Sequence, residues 1–111
     1  MRPAEVNRYV SELGRVLRPG GRGLFTCFLL NGDSLARIAD GTSSMAFVHE
    51  MNGFRTTDPR TPEAAIALPE DFVRTCFTDA GLVVEEPIRY GSWSGREDFL
   101  SAQDILIAHK S

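Results

Sequence analysis

Apolar residues recur at helical spacing from the start of the chain. Val6, Tyr9, Val10, Leu13, Val16 and Leu17 form one stripe within residues 4–17, with Asn7, Arg8, Ser11, Glu12 and Arg15 opposite. That spacing predicts an amphipathic helix. Pro3 and Glu5 suit its first turn, and Pro19-Gly20-Gly21 stops it. The pattern then changes. Residues 23–30, GLFTCFLL, are apolar at consecutive positions, with Thr26 the one polar interruption. Such a run predicts a strand inside a helix-covered, mostly parallel sheet. Helical spacing returns at residues 69–80, where Phe72, Val73, Cys76, Phe77 and Ala80 make the stripe and Gly81 ends it. Residues 82–90 and 102–109 read as two more strands. Pro87 cannot donate to a ladder, which sends the first of these to a sheet edge or gives it a bulge.

Between these elements the pattern is weaker. Residues 31–40 predict a short helix with Asp33 as N-cap, Leu35, Ile38 and Ala39 as its apolar side, and Gly41 as its stop. From 41 to 69 no period holds, and residues 31–69 are expected to form an irregular insertion within a single domain spanning residues 1–111. Segments that long without regular structure usually carry function or disorder. Residues 91–101, GSWSGREDFLS, read as a second loop.

Gly20-Gly21 poses a question of its own. A phosphate-cradling glycine loop follows a strand and opens a helix, because the helix N-terminus supplies free N–H groups. Here a helix precedes the glycines and a strand follows. The pair therefore predicts a helix-to-strand turn, where glycine takes positive φ at low steric cost.

Composition narrows the class. The chain has 111 residues, 42% apolar and 24% charged, which is ordinary for a globular domain. A net charge of −3 argues against a nucleic-acid or anionic-membrane binder. Cys27 and Cys76 both lie in apolar surroundings and read as small buried hydrophobes in a reducing compartment. His49 and His109 are isolated, so no metal-ligand spacing exists. Neither a signal peptide nor a membrane span is legible, and a cytoplasmic location is expected.

The run Arg15-Val16-Leu17-Arg18-Pro19-Gly20-Gly21, ending its helix and leading into residues 23–30, resembles the helix–turn–strand of class I S-adenosylmethionine-dependent methyltransferases. Their usual form there is R-V-L-[KR]-P-G-G. The helix end FTDAGL (77–82) and the strand AQDILIAHK (102–110) agree in order. Residues 58–74 and 88–96 further resemble a bacterial subgroup. The resemblance spans essentially the whole chain. It implies the C-terminal part of a Rossmann-like α/β fold: a three-stranded mixed sheet with flanking helices, the last strand antiparallel and in the middle. It also implies a departure. The family's acidic residue and G-x-G-x-G cofactor loop occur nowhere in these residues and would precede residue 1. The expectation is part of a methyltransferase acting on a small molecule, with S-adenosylmethionine as the whole enzyme's cofactor. This chain alone is expected to bind none tightly and to be inactive. A non-catalytic dimerisation module or small-ligand-binding module is the alternative.

Parallel strands at 23–30 and 82–90 put their C-terminal ends on one rim, where open α/β sheets bind ligands. Candidate substrate contacts follow from that placement. Asn31 directly follows the first strand and is either a polar contact or part of a turn. Histidine is the side chain suited by type to proton transfer near neutral pH, which makes His49 the base candidate, or else it is an ordinary loop residue. Tyr90, Trp93 and Arg96 belong to RYGSWSGR (89–96), where the strand runs into the second loop. Trp93 either walls a pocket or anchors the loop, and Arg96 either clamps an acidic group or pairs with Glu97 or Asp98. Met45, Phe47 and Met51 line an apolar pocket or pack a lid. His109 falls at the opposite end of the sheet and is read as a packing or surface residue. Finally, the resemblance leaves strand 23–30 without a neighbour on one side, an edge that templates association. A homo-oligomer built through that strand is expected.

Overall fold

A computed structural model describes residues 2–62, 65–95 and 102–110. The first helix, α1, spans Pro3–Val16, with Pro3 at its first position and the Glu5 carboxylate accepting from the Arg2 N–H at 3.0 Å. Strand β1 follows at Arg22–Leu30 and α2 at Gly32–Asp40. Two short strands come next, β2 at His49–Glu50 and β3 at Arg55–Thr56. Then come β4 at Ile66–Pro69, α3 at Glu70–Asp79, β5 at Leu82–Val84 and β6 at Asp104–Lys110. A short 3₁₀ turn at Ser92–Ser94 precedes β6.

Among the described residues six strands join one mixed sheet in the order β2-β3-β4-β1-β6-β5. β6 runs antiparallel between β1 and β5, with Leu24 opposite Ile107 and Val84 opposite Ala108. β1 and β5 are therefore parallel to each other, and the three strands expected from the sequence stand in the expected order. The sheet is nonetheless larger than the three strands expected. Residues 31–69 contribute β2, β3 and β4. β4 pairs parallel with β1 through Phe28–Ala67, Leu29–Leu68 and Leu30–Pro69. It escaped the sequence reading because IALP runs directly into α3: Pro69 ends β4 and is also the N-cap of α3. The β1 edge is consequently not free along its whole length, as the sequence suggested. Among the described residues it lacks a neighbour on the β4 side only over residues 22–27.

Two smaller expectations also change. The cap of α2 is Asn31 rather than Asp33. Asn31 Oδ1 accepts from the Ser34 N–H, and Ser34 Oγ accepts from the Asn31 N–H, both at 2.8 Å. Asp33 lies in the first turn and pairs with Arg37 at 3.2 Å. The strand expected over 82–90 is regular only at Leu82–Val84, at the sheet edge; beyond Pro87 it touches β6 again through Arg89 and Ile105.

Strand alternation divides the core between the two faces. Phe25, Cys27 and Leu29 of β1 face α1 and α3, joining Val6, Val10, Val73, Cys76, Phe77 and Leu106. Phe28 and Leu30 face the other way, with Ile38, Phe47, Ala67 and Trp93. Both cysteines are free and buried. Gly20 takes φ 82°, its N–H donates to the Lys110 carbonyl at 2.6 Å, and the Gly21 N–H donates to the Arg18 carbonyl at 2.7 Å. The turn thus spends its amides closing the lower end of the sheet. Among the described residues no helix is long and apolar enough to cross a membrane.

Candidate functional site at the sheet rim

β1 and β4 are parallel and end together. Asn31 follows β1 directly, and Glu70 follows β4 directly as the first residue of α3. The chain after β5 returns to the same rim and brings Tyr90 with it. These three side chains meet. Glu70 Oε1 accepts from Asn31 Nδ2 at 3.0 Å and from the Tyr90 hydroxyl at 2.7 Å. Glu70 Oε2 accepts from Arg74 Nε at 2.9 Å, one helical turn along α3. Arg74 extends the network to Glu86. Asn31 caps α2 with its oxygen and holds Glu70 with its nitrogen, so one side chain couples two helices to the end of β1.

The electrostatics of this node follow from its contacts. Burial pushes the Glu70 carboxyl up, but hydrogen bonds from Asn31, Tyr90 and Arg74 outweigh burial and hold it below its ordinary value. Burial first, and then the neighbouring Glu70 carboxylate, push the Tyr90 phenol up to about 12. At neutral pH the node therefore holds an ionised acceptor and a protonated donor. Those are hydrogen-bonding groups; the node supplies neither a strong base nor a ready acid.

A second polar centre lies just beneath, in the sheet itself. Asp104 begins β6 and is 1% exposed. Its Oδ2 accepts from the Leu29 N–H at 2.7 Å and from Trp93 Nε1 at 2.9 Å, and its Oδ1 accepts from the Gly91 N–H at 2.6 Å. One carboxylate thus fastens the end of β1 to the loop that carries Tyr90. A Cβ on Gly91 would fall on the carbonyl oxygens of Ala102 and Gln103, so only glycine admits this approach. Burial pushes the nearby Cys27 thiol up, with Asp104 and Glu70 adding to the effect; it is a packed hydrophobe rather than a nucleophile.

Of the candidate residues, Asn31 and Tyr90 come together. Trp93 is buried to 1% and packs edge-on against Phe28 at 5.7 Å and Phe47 at 5.3 Å. It anchors the loop from below, and Phe47 is part of that cluster. His49 lies exposed on β2, across β3 and β4 from β1, away from the node. Met51 is exposed nearby, and Met45 packs against the Trp93 cluster. Arg96 lies outside the described residues. His109 sits at the lower end, its Nδ1 3.5 Å from Glu85, which also takes Arg22 through two bonds of 2.9 Å. Among the described residues, no group of three or more His, Cys, Asp or Glu side chains stands ready for a metal ion.

Glu70 and Asp104 were not singled out from the sequence. Glu70 looked like an ordinary first-turn acid at a helix N-terminus. Its signal was its place, immediately after the Pro that ends an apolar run. Asp104 carried a plainer signal, a lone acid opening an otherwise apolar strand. Compared with known proteins, the chain matches no family model and no solved structure.

Proposed function

We propose that this chain is the acceptor-side part of a S-adenosylmethionine-dependent methyltransferase, and that its rim orients a small polar acceptor. The observation that carries this reading is the meeting of Asn31, Glu70 and Tyr90 at the ends of two parallel strands. Ligands of open α/β sheets bind at such ends. The order β1-β6-β5, with β6 antiparallel in the middle, is also the order that the resemblance implies.

The residues present do not fit the cofactor itself. No acidic residue with a G-x-G-x-G loop follows any strand here. The one double glycine sits at the opposite end of the sheet from the rim, with its amides already bonded. The cofactor's ligands therefore belong to sequence outside these residues, and the chain's own part is acceptor binding. Tyr90, protonated to about pH 12, and Glu70, ionised, position hydrogen-bonding groups of the acceptor. His49, the residue best suited to act as a base, is not at the node. This suits a nitrogen or sulfur nucleophile, which reacts from its own lone pair once aligned.

The test is methyl transfer from radiolabelled S-adenosylmethionine into a small-molecule extract, by the product of the whole reading frame that carries these residues. Transfer is expected, with Tyr90→Phe raising the acceptor KM more than it lowers kcat. A reading frame without a G-x-G-x-G loop ahead of this segment overturns the proposal.

A further inference from the structure

The chain contains two Asn-Gly pairs, Asn31-Gly32 and Asn52-Gly53. Asparagine before glycine is a reactive arrangement. The glycine nitrogen can attack the asparagine Cγ, because no side chain on the glycine shields it. The N–Cγ bond forms, the glycine nitrogen gives up its proton, and the side-chain amide leaves as ammonia. Water then opens the five-membered imide. Breaking the new N–Cγ bond gives aspartate; breaking the original peptide bond gives isoaspartate, with the backbone running through Cβ. Both steps need a side chain and a backbone free to turn, so folding decides which pair reacts.

The fold treats the two pairs differently. Asn31 is half-buried, and its side chain is held at both ends. Oδ1 accepts from the Ser34 N–H at 2.8 Å, and Nδ2 donates to Glu70 at 3.0 Å. Its ψ is −178°. The nearly planar imide needs Cβ and the glycine nitrogen eclipsed about the Cα–C bond, and that ψ leaves them staggered. Reaction at Asn31 therefore requires the cap of α2 and the rim node to open together. Asn52 is exposed, in the two-residue link between β2 and β3. The Met51 N–H donates to the Phe54 carbonyl at 2.8 Å, and Gly53 takes φ 84°. Among the described residues no hydrogen bond holds the Asn52 side chain. β2 lies at the sheet edge and is tied to β3 only through His49–Thr56 and Glu50–Arg55. A hairpin this short opens locally at little cost.

We propose that Asn52 is a site of spontaneous deamidation and isoaspartate formation, and that the contacts holding Asn31 spare the chemically identical pair at the rim. Water is the only co-reactant. Isoaspartate at position 52 adds one carbon to the backbone of a two-residue link, so the link no longer matches the β2–β3 register. At Asn31 the same reaction would replace a donor to Glu70 with a second carboxylate, and like charges at that distance repel. The node thus protects the residue whose conversion would break it. This proposal does not rest on the methyltransferase reading.

The test is incubation of the folded chain at mildly alkaline pH, followed by trypsin digestion and mass spectrometry. Trypsin cuts after Arg22, Arg37 and Arg55, so residues 23–37 carry Asn31 and residues 38–55 carry Asn52. Each peptide reports its own pair through the mass gain of amide hydrolysis, and electron-transfer fragmentation separates isoaspartate from aspartate. Conversion at Asn52 should exceed conversion at Asn31 by at least ~10-fold in the folded chain. The same incubation in guanidinium chloride should bring the two rates within about twofold, since both pairs then lie in an open chain. Equal conversion of the two pairs in the folded chain overturns the proposal. So does an Asn52 that stays intact in the folded chain but converts in guanidinium chloride. An Asn31 that still lags in guanidinium chloride also overturns it, because its slowness would then lie in the neighbouring sequence rather than in the fold.

Discussion

Glu70 shows how one side chain can hold a site together while staying ionised. Its folded-state value lies below the ordinary 4.5, so unfolding takes up a proton as the pH falls past that value. The stabilisation is complete above pH 4.5 and is lost as the pH drops through the folded value. Glu70→Gln should therefore lose less stability than wild type between neutral pH and about pH 3, measured as the shift in urea midpoint. Glu86, Glu12 and Asp40 are also held low but are exposed and screened by solvent, and Glu85 is partly exposed, so the remaining slope in the variant should be shallow. An unchanged slope would remove Glu70 from this role. Asn31 and Tyr90 were legible in the sequence because Asn31 directly follows, and Tyr90 ends, a strand expected to reach the rim. Glu70 was not, because the strand before it was not recognised. The side chain that Asn31 and Tyr90 share was thus hidden by a missed neighbour rather than by unusual chemistry.

Among the elements, β6 and its preceding loop depend on Asp104. Three buried donors converge on it, from Leu29, Gly91 and Trp93. Removing the carboxylate leaves all three without that acceptor, and buried unsatisfied donors cost about 1–3 kcal/mol each. Asp104→Ala should destabilise the fold by at least ~3 kcal/mol in chemical denaturation. It should also expose the Trp93 indole, seen as a red shift in fluorescence under native conditions. The contact between α1 and α3 supplies a second test. Gly→Ala within an exposed helix normally stabilises by about 1 kcal/mol. At Gly14 the added methyl would fall on the Ala80 carbonyl oxygen. Gly14→Ala should instead destabilise, by ~1–3 kcal/mol, and a stabilised variant would contradict this packing. The strong helices and β1 were readable because their apolar periods are long and their stops are glycine or proline. β2, β3 and β4 were not, since two to four residues carry no period. Their strand character comes from what they pair with.

For the whole molecule, the order of β1, β6 and β5 is the one the resemblance implies, and two local features fit it. Pro87 pushes its segment to an edge, and Ile105-Leu106-Ile107 suits a strand with neighbours on both sides. The three further strands change what the rim contains, because β4 delivers Glu70 to it. They also shorten the open edge of β1 to residues 22–27. The molecule has its polar node at one end of the sheet and its open edge towards the other.

The central claim is that these residues bind the acceptor while the cofactor is held by sequence outside them. Isothermal titration calorimetry with S-adenosylmethionine tests it most directly, run on the 111-residue chain and on the product of its whole reading frame. The account predicts micromolar binding to the latter and none to the former. Tight binding to the 111 residues alone, or no binding to the whole product, would contradict it.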